Sequence, residues 1–259
     1  MTSGKSKNTN KHNLLISRMM TVKGNDGNTI WEHCLKVKNI LLEVLQNLKS
    51  IHNLKSKYPV PTWLEEHWYL FHDMKRNWKA IRTGVKFHDC GKPFCITESG
   101  GVKHFPEHWK LSAEKFKEYA GEELNFDEFQ KLCEREPNFD MSSIYERWER
   151  YKCKLSVQKQ AESYIRRDLE AHIVKLDDES IKNFLSEDGK YPDHYEVWKT
   201  SLELILICYC AILSNCRNDS KKSDKAFLRI ETLGTRAIEL MNERFPNRFD
   251  SLKVSLENS

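Results

Sequence analysis

Residues 83–108 read TGVKFHDCGKPFCITESGGVKHFPEH and set His88 directly before Asp89, with Lys92 three residues further on. Imidazole nitrogen and carboxylate oxygen form the ligand set of hydrolytic metal centres. An adjacent His-Asp pair at a helix end places both donors on one ion. Lys92, one short turn beyond, then reaches a phosphoryl oxygen beside that ion. The dipeptide alone is cheap, because His72-Asp73 in HWYLFHDMKRNW repeats it without a glycine or proline stop and without a lysine at the same offset. That second pair is read as surface or structural.

A functional histidine must be held by packing, so the useful histidines share a stripe with apolar residues at three- and four-residue spacing. His33 heads His33, Val37, Ile40, Val44, and His88 ends Trp78, Ile81, Val85, His88. His108 precedes Leu111, Phe116 and Tyr119, while His172 follows Ile165 and Leu169. One such residue is most often a hydrogen-bonded core histidine. Imidazoles on core-facing stripes of several different helices point instead to a shared site.

The elements that would position them are helices. Thr29-x-x-Glu32 has capping-box spacing and opens a helix over about residues 30–48. Thr62-x-x-Glu65 starts an interrupted helical segment that Gly91 and Pro93 stop near Cys90. The Ser-Gly-Gly turn in TESGGVKHF suggests a small hairpin or loop before a helix beginning near Pro106. Further helices are expected at EFQKLCERE, from Ser143-x-x-Glu146, over about 157–175, over 195–215 and over 225–242. No alternating strand pattern of useful length and no fixed repeat occurs, so the fold class is all-α.

The chain has 259 residues, 39% hydrophobic, with 42 Lys+Arg against 38 Asp+Glu. That is enough apolar content for one core, and too little net charge to establish an anionic partner. Residues 1–28 are expected to be a mobile basic tail and 29–259 a single domain. No C-x-x-C pair occurs among the eight cysteines, so a structural zinc site is unsupported and free thiols in a cytoplasmic setting are expected. The apolar run LELILICYCAIL is short for a membrane span and is read as a buried helix. No P-loop glycine pattern is present, which excludes a fused kinase.

IWEHCLKV and GVKFHDCGKP together resemble the HD-domain metal-dependent phosphohydrolases, whose pattern is a helical His, a later His-Asp pair and a distal Asp. GGVKHFPEHWKLSAE is similar to the segment after the pair in HD domains of bacterial tRNA nucleotidyltransferases and of polynucleotide kinase fusions. The likeness covers about residues 29–120. It implies an HD-like helical bundle with a small loop or hairpin after the His-Asp helix, with room for an insertion around 121–195. It further implies His33, His88 and Asp89 as metal ligands, Lys92 as the phosphate contact and His108 as the histidine of the following helix. His104 takes a more variable place, and His172 resembles an additional histidine near the substrate. Where the family carries its last Asp, AILSNCRNDS offers Asn215, with Asp219 one turn later. A neutral Asn oxygen is the poorer ligand.

The implied activity is hydrolysis of a phosphoester on nucleotides or RNA 2′,3′-cyclic phosphate ends, with one or two divalent transition-metal ions (Mn, Ni, Co, Fe or Zn). Asp89, Lys92 and His108 would be catalytic. A nucleoside triphosphate hydrolase is an alternative within the enzyme class. A non-catalytic nucleotide- or RNA-binding module on a degenerate HD fold is the alternative outside it. Arg217, Lys221, Lys222 and Lys225, with Arg166 and Arg167 near His172, would give a positive rim, against the blander reading of a solvated charge run.

Overall fold

Thr29 caps helix α2, Ile30–Gln46, with its side chain on the Glu32 amide while Glu32 reaches back to the Thr29 amide, as the spacing predicts. The computed structural model describes residues 14–121, 123–136, 140–215 and 220–257, and among them the chain is all-α apart from one two-stranded hairpin. Before α2 lies a helix, α1, over residues 14–21. Its Leu15 and Met19, one turn apart, are buried with Ile30, Cys34, Phe87 and Phe116. This corrects the tail expected through residue 28, because two apolar residues at helical spacing suffice to dock a short helix. Residues 1–13 lie outside the described residues.

The segment from Thr62 breaks into α3, Thr62–Glu66, a 3-10 stretch Trp68–Lys75, and α4, Trp78–Phe87. Pro61 is the N-cap of α3, and the Thr62 amide donates to the Glu231 carboxylate. Strands β1, Thr97–Ser99, and β2, Val102–His104, pair antiparallel across Gly100 and Gly101. Both glycines have positive φ, the conformation a tight hairpin demands. Then come α5, His108–Ala120, and α6, Phe126–Cys133.

Where two helices were expected, α7 runs unbroken from Ile144 to Ile173. Its first half packs with α6 in a small separate cluster of Phe129, Cys133 and Ile144, and its later part lies against α4 and α5. A Cβ on Gly84 would come 2.9 Å from the Tyr164 Cβ, so glycine sets how closely α4 and α7 approach. Helix α8, Asp178–Leu185, was not foreseen, nor was α11, Pro246–Glu257. Between them run α9, Tyr195–Asn215, and α10, Ser220–Arg244.

By length and composition α9 is apolar enough to cross a membrane, yet it is largely buried here, against α2, α7, α8 and α10. One polar residue inside it stands out. Glu203 is 4% exposed and accepts a hydrogen bond from the Tyr164 hydroxyl. Burial pushes its carboxyl up from 4.5 to about 7, against the opposing influence of Tyr164 and Lys199. Between those values the folded chain holds a proton that the unfolded chain has lost. Stability therefore falls as pH rises from about 4.5 to about 7 and is level above.

Replacing Glu203 by Gln removes this titration. The variant should gain stability over the native chain by a few kcal/mol (on the order of 3) above pH 7, shrinking towards nothing near pH 4.5. Thermal melts across that range decide it, and a difference independent of pH would refute the account.

Candidate metal centre

His33 sits one turn inside α2, on the helix face that also buries Val37 and Ile40. Helix α4 ends at Phe87, and His88 continues its turn with φ −55° and ψ −33°, carrying the chain into Asp89. The next residues must pass very close to the start of α5. A Cβ on Gly91 would lie 2.3 Å from the His108 carbonyl oxygen and 2.4 Å from the Ser112 amide nitrogen, so only glycine fits between His-Asp and Lys92. The Gly91 amide donates to Ser112 Oγ at 2.8 Å, and Cys90 Sγ donates to the Ser112 carbonyl at 3.2 Å. These contacts lock the His88-Asp89 corner onto α5.

Asp89 is the centre. Its carboxylate is 2% exposed, and its Oδ2 lies 2.5 Å from Lys92 Nζ, 3.4 Å from His88 Nε2 and 3.5 Å from His33 Nε2. Its Oδ1 lies 3.5 Å from His108 Nε2. Burial is the largest influence on this carboxyl and pushes it upward. The Lys92 ammonium leads the charges that outweigh burial and hold Asp89 well below the usual carboxylate range. Burial likewise drives His33 down to about 4, against the pull of Asp89, so its imidazole is neutral at physiological pH.

Each imidazole is oriented through its other nitrogen. His88 Nδ1 donates to the Val85 carbonyl at 2.7 Å, and His108 Nδ1 to the Phe105 carbonyl at 2.8 Å. A carbonyl only accepts, so in the neutral ring the Nε2 carries the lone pair. His33 Nδ1 lies 3.2 Å from Ser214 Oγ, whose own proton goes to the Ala211 carbonyl at 2.7 Å, and so it also donates from Nδ1. Nitrogen lone pairs from α2, α4 and α5 therefore face carboxylate oxygens. Acceptors pointed at acceptors suit a shared cation, and outer hydrogen bonds that fix the tautomer are the usual support of a metal-ligating histidine. Ligand atoms of His33, His88 and Asp89 lie within 4.8 Å of one another, and this buried group can hold a metal ion.

A cleft of about 490 Å³ opens over His33, Asp89 and Lys92. His172, at the last turn of α7 with Nδ1 3.3 Å from Cys208 Sγ, lines it, as does exposed Asn215 at the end of α9. Asp219 and Arg217, and the side chains of Lys221 and Lys222, lie outside the described residues. His104 is not brought in. It is exposed on β2 and does not line the cleft, because the hairpin is held to the neighbouring loop through Lys103. Arg167 is no rim residue either. It is 2% exposed, and its guanidinium is bonded to the Phe184 carbonyl, Ser201 Oγ, Glu170 and Glu187. Asp73 of the second His-Asp pair bridges to Lys199 at 3.0 Å and lines no part of the cleft.

Sequence reasoning missed Ser214 and the loop Gly24–Asn28 that forms one cleft wall. A hydroxyl at the polar end of an apolar helix, and a GNDGN turn just before a helix cap, were the signals present. Comparisons with protein-family models, with curated proteins and with solved structures find no match.

Ser214→Ala should weaken Co(II) or Ni(II) binding by ~10–100-fold, since His33 loses the acceptor that fixes its tautomer. His72→Ala should leave binding unchanged. Calorimetric titration of the variants reads both, and undiminished affinity in Ser214→Ala would remove that hydroxyl from the site.

Proposed function

We propose that this protein is an HD-type metal-dependent phosphohydrolase acting on nucleotides or on RNA 2′,3′-cyclic phosphate ends. The observation that carries the reading is the convergence of imidazole Nε2 atoms from separate helices on one buried carboxylate, with a lysine ammonium beside it. The resemblance of IWEHCLKV and GVKFHDCGKP to that family agrees with it. His33, His88 and Asp89 would hold a divalent transition metal (Mn, Ni, Co, Fe or Zn). When bound, such an ion lowers the pKa of water and polarises a phosphoryl oxygen.

The chain's own groups supply the rest. Lys92 reaches Asp89 Oδ2 from the cleft floor, where its ammonium offsets charge on a phosphoryl oxygen. His108, held by Phe105, keeps its Nε2 turned to Asp89, where it serves either a second ion or the reacting group. His172 faces the same space from α7. A second reading, a nucleotide- or RNA-binding module without turnover, is favoured by one observation. At the place where the family carries its last carboxylate, the cleft is lined by Asn215.

With Mn, Ni or Co added, the protein should hydrolyse a generic phosphodiester or a 2′,3′-cyclic nucleotide. Asp89→Ala should abolish turnover by deleting a ligand, and Lys92→Ala should lower it ~10²-fold, the scale of one lost preorganised charge contact. Metal bound without hydrolysis of any cyclic, mono- or triphosphorylated nucleotide or cyclic-ended RNA would leave the binding module.

A further inference from the structure

The outer faces of α2 and α4 form a second groove. Trp31 at the start of α2 meets Phe87 at the end of α4, with ring centroids 6.0 Å apart, while Leu42, Leu45 and Gln46 near the end of α2 line a slot with Trp78 at the start of α4. The two helices therefore run antiparallel, and residues 31–45 extend about 20 Å at a rise of ~1.5 Å per residue. No residue of this face lines the cleft over His33 and Asp89.

Its charge is of one sign. Residues 75–86, KRNWKAIRTGVK, contain no Asp or Glu. Lys79, Arg82 and Lys86 recur at three- and four-residue spacing and so share one face of α4. The charged groups that act on the Lys86 ammonium are Lys38 of α2 and Arg82, both cationic. Among the described residues no carboxylate pairs with Lys38, Lys75, Lys79, Arg82 or Lys86, whereas lysines elsewhere on the surface are paired, as Lys57 is with Glu43, Lys110 with Glu107 and Lys159 with Glu123. The acids of α2 are engaged away from the stripe, Glu32 in its own helix cap and Glu43 with Lys57 and Tyr58. Like charges at helical spacing repel, so an anion laid along the stripe relieves it.

Its shape suits a base as well as a backbone. Lys86 Nζ rests 5.0 Å from the centre of the Trp31 ring, which holds that ammonium at one end. At the other end Leu42, Leu45, Gln46, Lys75 and Trp78 line the slot, about 150 Å³ in volume. That is smaller than the ~300–1,000 Å³ of a whole small-molecule site and matches a single base ring, with an indole to stack on and an exposed amide to meet its edge. Among the described residues no exposed large apolar side chain belongs to this face, so it lacks the wedge that a lipid surface takes up. We infer that the α2/α4 groove binds single-stranded nucleic acid, with the backbone along Lys38, Lys79, Arg82 and Lys86 and one base in the slot beside Trp78. A duplex keeps its bases stacked on one another and has only the stripe to use. The inference stands apart from the phosphohydrolase reading, because the groove lies outside the cleft.

The experiment uses the full chain in EDTA, so that no metal contributes, and follows the fluorescence anisotropy of a short labelled RNA of mixed sequence, alone and annealed to its complement, over a series of salt concentrations. The native protein should bind the single strand more tightly than the duplex. Lys79→Glu with Arg82→Glu, both on exposed side chains, should weaken single-strand binding ~10-fold or more at low salt and flatten its logarithmic salt dependence by about 1.4, two phosphate contacts at ~0.7 each. Trp78→Leu, which keeps an apolar filling, should cost the single strand ~5–100-fold, the scale of one lost stacking ring. Lys152→Glu with Lys159→Glu on α7 makes the same charge change away from the groove and should have a clearly smaller effect. Undiminished binding in the Lys79 and Arg82 variant, an equal loss in the α7 variant, or a duplex held as tightly as the single strand would each overturn the inference. Binding to phosphatidylserine vesicles with none to RNA would overturn it as well.

Discussion

The charge on Asp89 is the constraint around which the site is arranged. A carboxylate at 2% exposure, taken out of water alone, faces a penalty of several kcal/mol and would protonate. It stays ionised because the Lys92 ammonium lies 2.5 Å away. Such a group tolerates little movement of its partners. Helices α2, α4 and α5 meet at this point, and the apolar cluster of Met19, Ile30, Phe87 and Phe116 packs them together.

Holding the partners in place falls to less conspicuous residues. Gly91 lets the His-Asp corner approach α5 closely enough for His108 to reach Asp89. Ser214 links the far end of α9 to His33, and Lys36 donates to the Ser214 carbonyl, so α2 and α9 are pinned beside the site from both sides. Carbonyls of Val85 and Phe105 set the remaining rings. A backbone carbonyl three residues back is a rigid acceptor. The tautomers of His88 and His108 are therefore decided by backbone geometry, which is harder to disturb than another side chain.

This explains what was legible in the sequence. His33, His88 and His108 lie on helices whose apolar stripes advertise which way each side chain points, and Asp89 and Lys92 follow at fixed offsets from one of them. The all-α class was legible for the same reason. Periodicity says nothing about residues outside regular helices, so the polar Gly24–Asn28 loop passed for tail, although two bonds from Asn25 fasten it to a hairpin 78 residues away. Arg167 misled in the opposite sense. A charged residue in a polar helix reads as solvated, and only the tertiary fold reveals that Phe184, Ser201 and Glu187 enclose it. Long-range polar pairing leaves no periodic trace.

The charge balance of the centre also bears on what it binds. Around Asp89 stand the His33 imidazole, neutral with its pKa near 4, and one ammonium from Lys92. A divalent ion held by one carboxylate and neutral nitrogens keeps an excess positive charge, and Lys92 adds to it. Asn215 in the cleft wall does not cancel that excess, whereas a carboxylate there would have done so in part. An anionic ligand is then the natural complement of this centre.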